Sequence, residues 1–348
     1  MAKSTESVVR ILPAEEIIAR GSGEPDPFIW PNSKSWFAER SMRLKQLARQ
    51  PTSISAYLGL MAELVQAQHL ALADLPEVAG PTAEALKQAA EHGLPPLAAL
   101  DWQRDPLWQT ILHELLDYLL AAEMRGEQAD NIRQLLQRIK DMPAIELEVQ
   151  ADQLLAGSVS GVDLAAAPFI GAALQVYWVH MVCSHPELRA DAQYQQVDVS
   201  QQTTCPCCGS LPTVSIVRSF GGMAGQRYVV CSLCGLHWHM PRIRCTRCLH
   251  EEGVEYMSLS EPDVSDEDFV APAVMAETCP ECNTYLKIIH TEREPFADPI
   301  ADELAAIQLD VLMGEGEYYK HGLNMLLLFA QEPSETADVD DVETPLKS

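Results

Sequence analysis

Eight of the ten cysteines fall into four C-x-x-C pairs between Cys205 and Cys282, and this spacing constrains the chain more than any other feature. Cys205-x-x-Cys208 is followed by 22 residues, Cys231-x-x-Cys234 by 10, and Cys245-x-x-Cys248 by 30, before Cys279-x-x-Cys282. Two intervening residues let a tight turn aim both sulfurs at one centre while turn N–H groups face them. Two such turns complete a tetrahedral S₄ site. Each longer interval has room for a β-hairpin that brings its two turns together, and the 10-residue interval is a connector. The simplest pairing joins Cys205, Cys208, Cys231 and Cys234 in one site and Cys245, Cys248, Cys279 and Cys282 in the other. Interleaved pairing is the competing arrangement.

A single C-x-x-C pair would also fit a redox dithiol. Four pairs in so short a stretch point to metal. The spacing lacks the closely packed cysteine run usual for an iron–sulfur cluster, and zinc and iron both accept tetrahedral thiolate. Cys207 reads as a turn residue and Cys183 as a small core residue. With four cysteines per site, His237 and His239 are not needed as ligands.

The remaining sequence divides by periodicity. Residues 1–195 read as an all-helical domain. Ile54, Tyr57, Leu58, Met61, Leu64 and Val65 form one apolar stripe, and Leu107, Ile111, Leu115 and Leu119 form another after Asp105-Pro106, with Gly126 as a stop. Ile132, Leu135, Leu136 and Ile139 make a third, ended by Pro143. The apolar run Leu164–Cys183 reads as a buried core helix, because Pro168, Gly171, Gln175 and His180 interrupt it. Residues 196–242 and 243–292 read as two metal ribbons in tandem. Val214–Val217 and Arg227–Val230 are β arms around a Gly221-Gly222 turn. Residues 293–330 carry one helix beginning at Asp298-Pro299, with Ile300, Leu304, Ile307 and Val311 on its stripe and Gly314 at its end. Residues 331–348, with six acids and one lysine, read as a disordered tail. The fold class is therefore α+β and multidomain.

Charge bears on partners. Lys and Arg total 24 against 50 Asp and Glu, a formal charge of −26, which disfavours nucleic-acid and anionic-membrane binding. The first residues show no signal-peptide pattern, so a reducing cytoplasm is expected. Five arginines (Arg218, Arg227, Arg242, Arg244 and Arg247) occupy residues 200–250 without an acid, and ten acids occupy 251–286 without a base. The block reads either as a basic docking patch or as arginines that offset thiolate charge. Trp238, Arg242, Arg244 and Arg247 are the candidate partner surface; a core role for Trp238 competes with this. Ser258–Asp268 reads as an acidic surface insertion. The motifs of common hydrolases, P-loop enzymes and dinucleotide-binding enzymes are absent, and a site closed by four thiolates leaves no open position for hydrolysis. No enzyme activity is expected.

The chain resembles the formate dehydrogenase accessory proteins, FdhE. The resemblance is carried by Phe37–Ala48, Ala173–Trp178, Cys205-Pro-Cys-Cys-Gly209, Arg227–Gly235, Trp238-His239, Ala276–Cys279, Thr284–Ile288 and Ala301–Leu304. It implies a cytoplasmic protein that binds the catalytic subunit of a respiratory formate dehydrogenase and assists its maturation. It also implies two mononuclear, rubredoxin-like sites on the eight paired cysteines, with iron favoured over zinc. The alternatives are a rubredoxin-type electron-transfer protein acting on that subunit and a ribbon-type nucleic-acid binder, the latter opposed by charge.

Overall fold

The computed structural model describes residues 8–12, 25–123, 128–158, 160–219, 225–260 and 270–327. The Gly126 stop, the Gly221-Gly222 turn, most of the acidic 258–268 segment and the acidic tail lie outside the described residues.

The amphipathic stripes form helices where their spacing predicts them. In chain order these are α1 (Trp36–Leu47), α2 (Ser55–Leu72), α3 (Ala83–His92), α4 (Leu107–Ala121), α5 (Ala129–Lys140), α6 (Ala144–Leu155) and α7 (Ala167–Ser184). Leu58, Met61, Leu64 and Val65 of α2 are buried, as are Ile111, Leu115 and Leu119 of α4. Asp105 caps α4 by accepting from the Leu107 amide at 2.8 Å. The long apolar run becomes α7, the axis of the helical layer, against which α2, α4 and α6 pack. Every α7 residue from Ala167 to Val182 is buried. This helix is long and apolar enough to cross a membrane, yet 89% of its window lies inside the protein. A helix apolar on all sides is what such a central position requires.

The second layer is one nine-stranded sheet. Its strands are β1 (Val8–Leu12), β2 (Phe28–Ile29), β3 (Pro212–Val217), β4 (Arg227–Cys231), β5 (His237–His239), β6 (Glu255–Ser260), β7 (Val274–Cys279), β8 (Thr284–His290) and β9 (Tyr319–Lys320). The order is β1-β6-β7-β8-β3-β4-β5-β2, with β9 added beside β8. Strands β3–β5 form one antiparallel meander and β6–β8 another. The two are fused where β3 runs parallel to β8, with Ser215 opposite Ile288. The two ribbons, expected in tandem along the chain, are thus two meanders that share one sheet.

Two further expectations change. Residues 1–195 are not wholly helical, because β1 pairs with β6 and β2 pairs with β5. These N-terminal strands cover the two open sheet edges, which otherwise present unpaired backbone groups. The single C-terminal helix is two, α8 (Pro299–Ala305) and α9 (Ile307–Glu315), broken where Ala306 leaves helical geometry at ψ 33°. The break rotates the apolar face: Ile300 and Leu304 are buried in α8, but Leu309 and Met313 replace Val311, which is 59% exposed.

Charged side chains then tie α8 to the helical layer. Arg40 of α1 donates to Asp298 at 3.2 Å, and Arg43 meets Asp302 at 2.6 Å and Glu294 at 3.1 Å. Asp298 also caps α8, accepting from the Ile300 and Ala301 amides at 3.0 and 2.8 Å.

Candidate metal centre

Each C-x-x-C pair folds into the same turn. The residue after the second cysteine has positive φ every time: Gly209 at 74°, Gly235 at 75°, Leu249 at 63° and Asn283 at 50°. This left-handed step closes the turn onto its own start. Gly209 donates to the Cys205 carbonyl at 2.8 Å, and Leu249 to that of Cys245 at 3.1 Å. The first cysteine of each pair then bonds five residues on: Cys205 to Ser210, Cys231 to Leu236 and Cys245 to His250, at 2.9, 2.9 and 2.8 Å. Cys279 and Thr284 pair across β7 and β8 in the same relation. Glycine meets the left-handed requirement at no steric cost in the first two turns, whereas a leucine there is strained by roughly 1–2 kcal/mol. Gly235 is doubly constrained, since a Cβ there would lie 2.9 Å from the Trp36 ring.

The turns assemble by the first-with-second, third-with-fourth pairing. Cys205, Cys208, Cys231 and Cys234 form one cluster and Cys245, Cys248, Cys279 and Cys282 the other, with the four sulfurs of each within 4.8 Å of one another. Cross-turn sulfur distances are 3.6 Å for Cys205–Cys234, 3.4 Å for Cys208–Cys231, and 3.7 Å for both Cys245–Cys282 and Cys248–Cys279. A tetrahedral ion with metal–sulfur bonds of about 2.3 Å needs sulfurs about 3.8 Å apart, so the spacing fits a single S₄-bound ion. Backbone amides are aimed at the sulfurs as that chemistry demands. Leu233 and Cys234 donate to Cys231 Sγ at 3.3 and 3.4 Å, and Arg247 donates to Cys245 Sγ at 3.4 Å.

The ionisation of the first cluster is divided when the thiols face only one another. Burial pushes Cys205 and Cys234 well above the ordinary thiol value. Burial also opposes the Cys208 thiolate, but hydrogen bonds from Cys205, Cys231 and Cys234 outweigh it and draw Cys208 well below. Four adjacent buried thiolates require a cation to coexist.

The two clusters have different surroundings. All four cysteines of the first are fully buried and belong to the main core beneath the helical layer. Leu97 and Ala99 donate to the carbonyls of Cys207 and Cys208, each at 2.9 Å. Gln175 of α7 donates to the Ser232 carbonyl at 2.7 Å, and Gln68 of α2 braces Gln175 at 3.2 Å. The second cluster has its own small apolar shell around Val254, with Cys248 exposed and Cys282 half-buried.

Neighbouring sequence candidates take other roles. Cys207 is buried beside the first cluster, and Cys183 is half-buried. His237 is buried and accepts from Arg218 at 3.0 Å, while its ring meets Trp36 edge-on. His239 sits 3.2 Å from Gln226. Trp238 corrects the partner-surface expectation: it is fully buried, pairs with Phe28 in the sheet and donates to the Gln202 carbonyl at 3.1 Å. A large apolar ring beside the fully buried first cluster stabilises that core and is closed to a partner. Arg242 is half-buried, Arg244 meets Glu251 and Ser200, and Arg247 is exposed.

The opposing charge blocks also meet internally. Arg227 is fully buried, ion-paired with Glu277 at 2.8 Å and bonded to Ser215 and to the carbonyls of Pro241 and Arg244. Sequence reasoning missed this pair and the Gln175 brace, since neither has a local pattern. The glycines at 209 and 235 were visible as neighbours of the cysteines and carried the turn geometry.

Comparison with known proteins places these features in one lineage. Family descriptions match consecutively: "FdhE, N-terminal" over residues 25–194, "FdhE, central domain" over 204–242, and "FdhE, C-terminal domain" over 243–327. A protein FdhE homolog of Edwardsiella ictaluri is 35% identical over 323 residues, covering 92% of this chain and 98% of the relative. One from Yersinia enterocolitica is 36% identical over 314 residues, covering 88% and 95%. The crystal structure of the FdhE protein from Pseudomonas aeruginosa superposes with a TM-score of 0.71 at 32% identity, covering 87% of this chain and 99% of that one.

Proposed function

The chain belongs to the FdhE family, and from that premise we propose that it is a formate dehydrogenase accessory protein that binds the catalytic subunit of a respiratory enzyme and assists its maturation. The observation that carries this reading is the pair of closed four-cysteine clusters built into a scaffold the family shares. Cys205, Cys208, Cys231 and Cys234 would hold one ion, and Cys245, Cys248, Cys279 and Cys282 the other. As zinc the ions would supply folding free energy; as iron they would supply one-electron chemistry as well. The protein's own contribution is to fix the sulfurs through four left-handed turns and to shield the first set under α7.

Docking is best assigned to the rim of the second cluster, where Arg247, Cys248 and His250 are exposed. Arg247 carries a charge outward that Trp238, being buried, cannot supplement. The same exposure favours a second reading, electron transfer to the bound subunit through the second site. We expect the purified, metal-loaded chain to capture a formate dehydrogenase catalytic subunit from its native cytoplasm without turning over formate. Substitution Arg247→Ala should weaken capture several-fold and leave metal content unchanged. Failure of the wild-type chain to capture any such subunit would refute the accessory role. A colourless, zinc-only protein active in maturation would remove the electron-transfer reading alone.

A further inference from the structure

The first cluster has a fifth thiol beside it that the four-ligand set does not use. Cys207 stands between Cys205 and Cys208 on one turn, and these three, with Cys231 and Cys234, are all fully buried. The sulfurs of Cys205, Cys208, Cys231 and Cys234 form the compact set, and Cys207 stays outside it. Its thiol is nonetheless turned towards the site. It interacts with the Cys234 thiol on one side and with the Tyr194 hydroxyl on the other.

Both neighbours of this thiol are fixed. The Cys207 carbonyl accepts from the Leu97 amide at 2.9 Å, and the Gly209 amide closes the turn on the Cys205 carbonyl at 2.8 Å. Tyr194 donates its hydroxyl hydrogen to the Leu188 carbonyl at 2.7 Å, and its ring packs against Phe28 and Trp30 with centroids 4.7 and 5.9 Å away. That hydrogen is the only one the hydroxyl has, so towards Cys207 the Tyr194 oxygen accepts. Burial first, and then the Cys207 and Cys205 charges, push the Tyr194 pKa up, so the hydrogen stays in place.

The Cys207 thiol hydrogen therefore has two acceptors, the Tyr194 oxygen and the Cys234 sulfur. The contact is with one corner of the site: Cys207 acts on Cys234 together with the other ligands, whereas the thiols that act most on Cys205 and Cys208 are ligands alone. A thiol within reach of one corner is a soft donor of the same chemistry as the ligand already there. Exchange at that corner balances without solvent. Cys207 passes its proton to the Cys234 sulfur, the Cys207 thiolate takes the coordination position, and Cys234 leaves as a neutral thiol. The number of bound thiolates and the net charge are unchanged. In a site with no exposed ligand this matters, because a thiolate that dissociated alone would be buried without water or a counter-ion.

We propose that Cys207 is an interchangeable ligand of the first metal site, taking the place of Cys234 while Cys205, Cys208 and Cys231 stay bound. The proposal rests on the assignment of an ion to this cluster and goes beyond it, giving the site five thiols for four positions. An ion that loses Cys234 is recaptured rather than released.

Loading the full-length chain with cobalt(II) tests this, because thiolate-to-cobalt charge-transfer absorption rises with the number of bound thiolates. The wild type should hold two ions per chain. Cys234→Ser should keep both, with four-thiolate absorption at the first site. Cys231→Ser, and Cys207→Ser combined with Cys234→Ser, should each lose the first ion or fall to three-thiolate absorption; the ion retained at the second site reports that the chain is folded. A Cys234→Ser variant no better than Cys231→Ser overturns the proposal. A wild-type chain with no ion at the first cluster overturns the metal assignment and the proposal with it. Should Cys234→Ser lose both ions, Cys207→Val decides, since it keeps a buried apolar side chain and removes the thiol. The first ion should pass from it to a chelator several-fold faster than from the wild type, and an unchanged rate overturns the proposal.

Discussion

Lys287 shows how a single charged residue is accommodated in the middle of a sheet. It is fully buried on β8, yet its ammonium donates to the Glu303 carbonyl at 2.7 Å and pairs with Glu303 at 3.1 Å and Asp310 at 2.6 Å. Lys320 of β9 joins the same two carboxylates, and Tyr285 donates to Asp310 at 2.8 Å. Two lysines against two carboxylates leave no net buried charge. Burial raises the Glu303 carboxyl, but Lys287, Lys320 and Asn324 overcome it and hold it down at about 2, against an ordinary 4.5. A depressed carboxyl contributes stability that is complete above about pH 4.5 and is lost as the pH falls towards 2. Glu303→Gln should therefore cost about 3–5 kcal/mol at neutral pH, because it leaves two buried ammonium groups to share the single carboxylate of Asp310. Urea unfolding of wild type and variant should show that difference shrinking on acidification below pH 4.5. A difference independent of pH would show that Glu303 is not held ionised by this network.

At the scale of elements, the decisive relation is between α7 and the first cysteine cluster. Gln175 is a polar interruption of an apolar helix, and its amide satisfies the carbonyl of Ser232, the residue immediately after Cys231. Gln175→Leu keeps the size and removes the donor. It leaves the Ser232 carbonyl unpaired in the core, a cost of about 1–3 kcal/mol. Thermal unfolding should occur at lower temperature, and metal should leave the first cluster faster with the second unaffected. Equal loss from both would mean that the helical layer does not support the first site specifically.

The elements also show what a sequence carries and what it does not. The α2 and α4 stripes were legible because a helix face recurs locally every three or four residues. The pairs of cysteines were legible because a metal site demands its ligands in register. Strands β1 and β2 were not, since five- and two-residue strands acquire meaning only from β6 and β5, more than 200 residues away. The break at Ala306 was hidden because Ile300, Leu304, Ile307 and Val311 satisfy helical spacing whether or not the helix is continuous. The Trp238 environment was undecided in sequence for a related reason: what covers it is supplied by Phe28 and Gln202, not by its neighbours.

On the scale of the whole molecule, the two clusters lie in one sheet but in unlike solvent. The first shares the main core with α2, α4 and α7, so opening it disrupts that core. The second is ringed by Val254 and has one exposed and one half-buried ligand. Local opening is easier where few apolar contacts must break. A chelator added to the loaded protein should therefore remove one ion rapidly and the other slowly, and the Cys248 thiol should be alkylated before any other paired cysteine. Simultaneous release of both ions would indicate that the sheet opens as one cooperative unit. The measurement that tests the metal architecture most directly is ion stoichiometry in two double variants. Cys208→Ser with Cys231→Ser damages only the first cluster, and Cys208→Ser with Cys279→Ser damages one ligand of each. Elemental analysis should find one bound ion per chain in the first double variant and none in the second, against two in the wild type. Loss of both ions from the variant that lacks Cys208 and Cys231 would contradict the pairing on which the account rests.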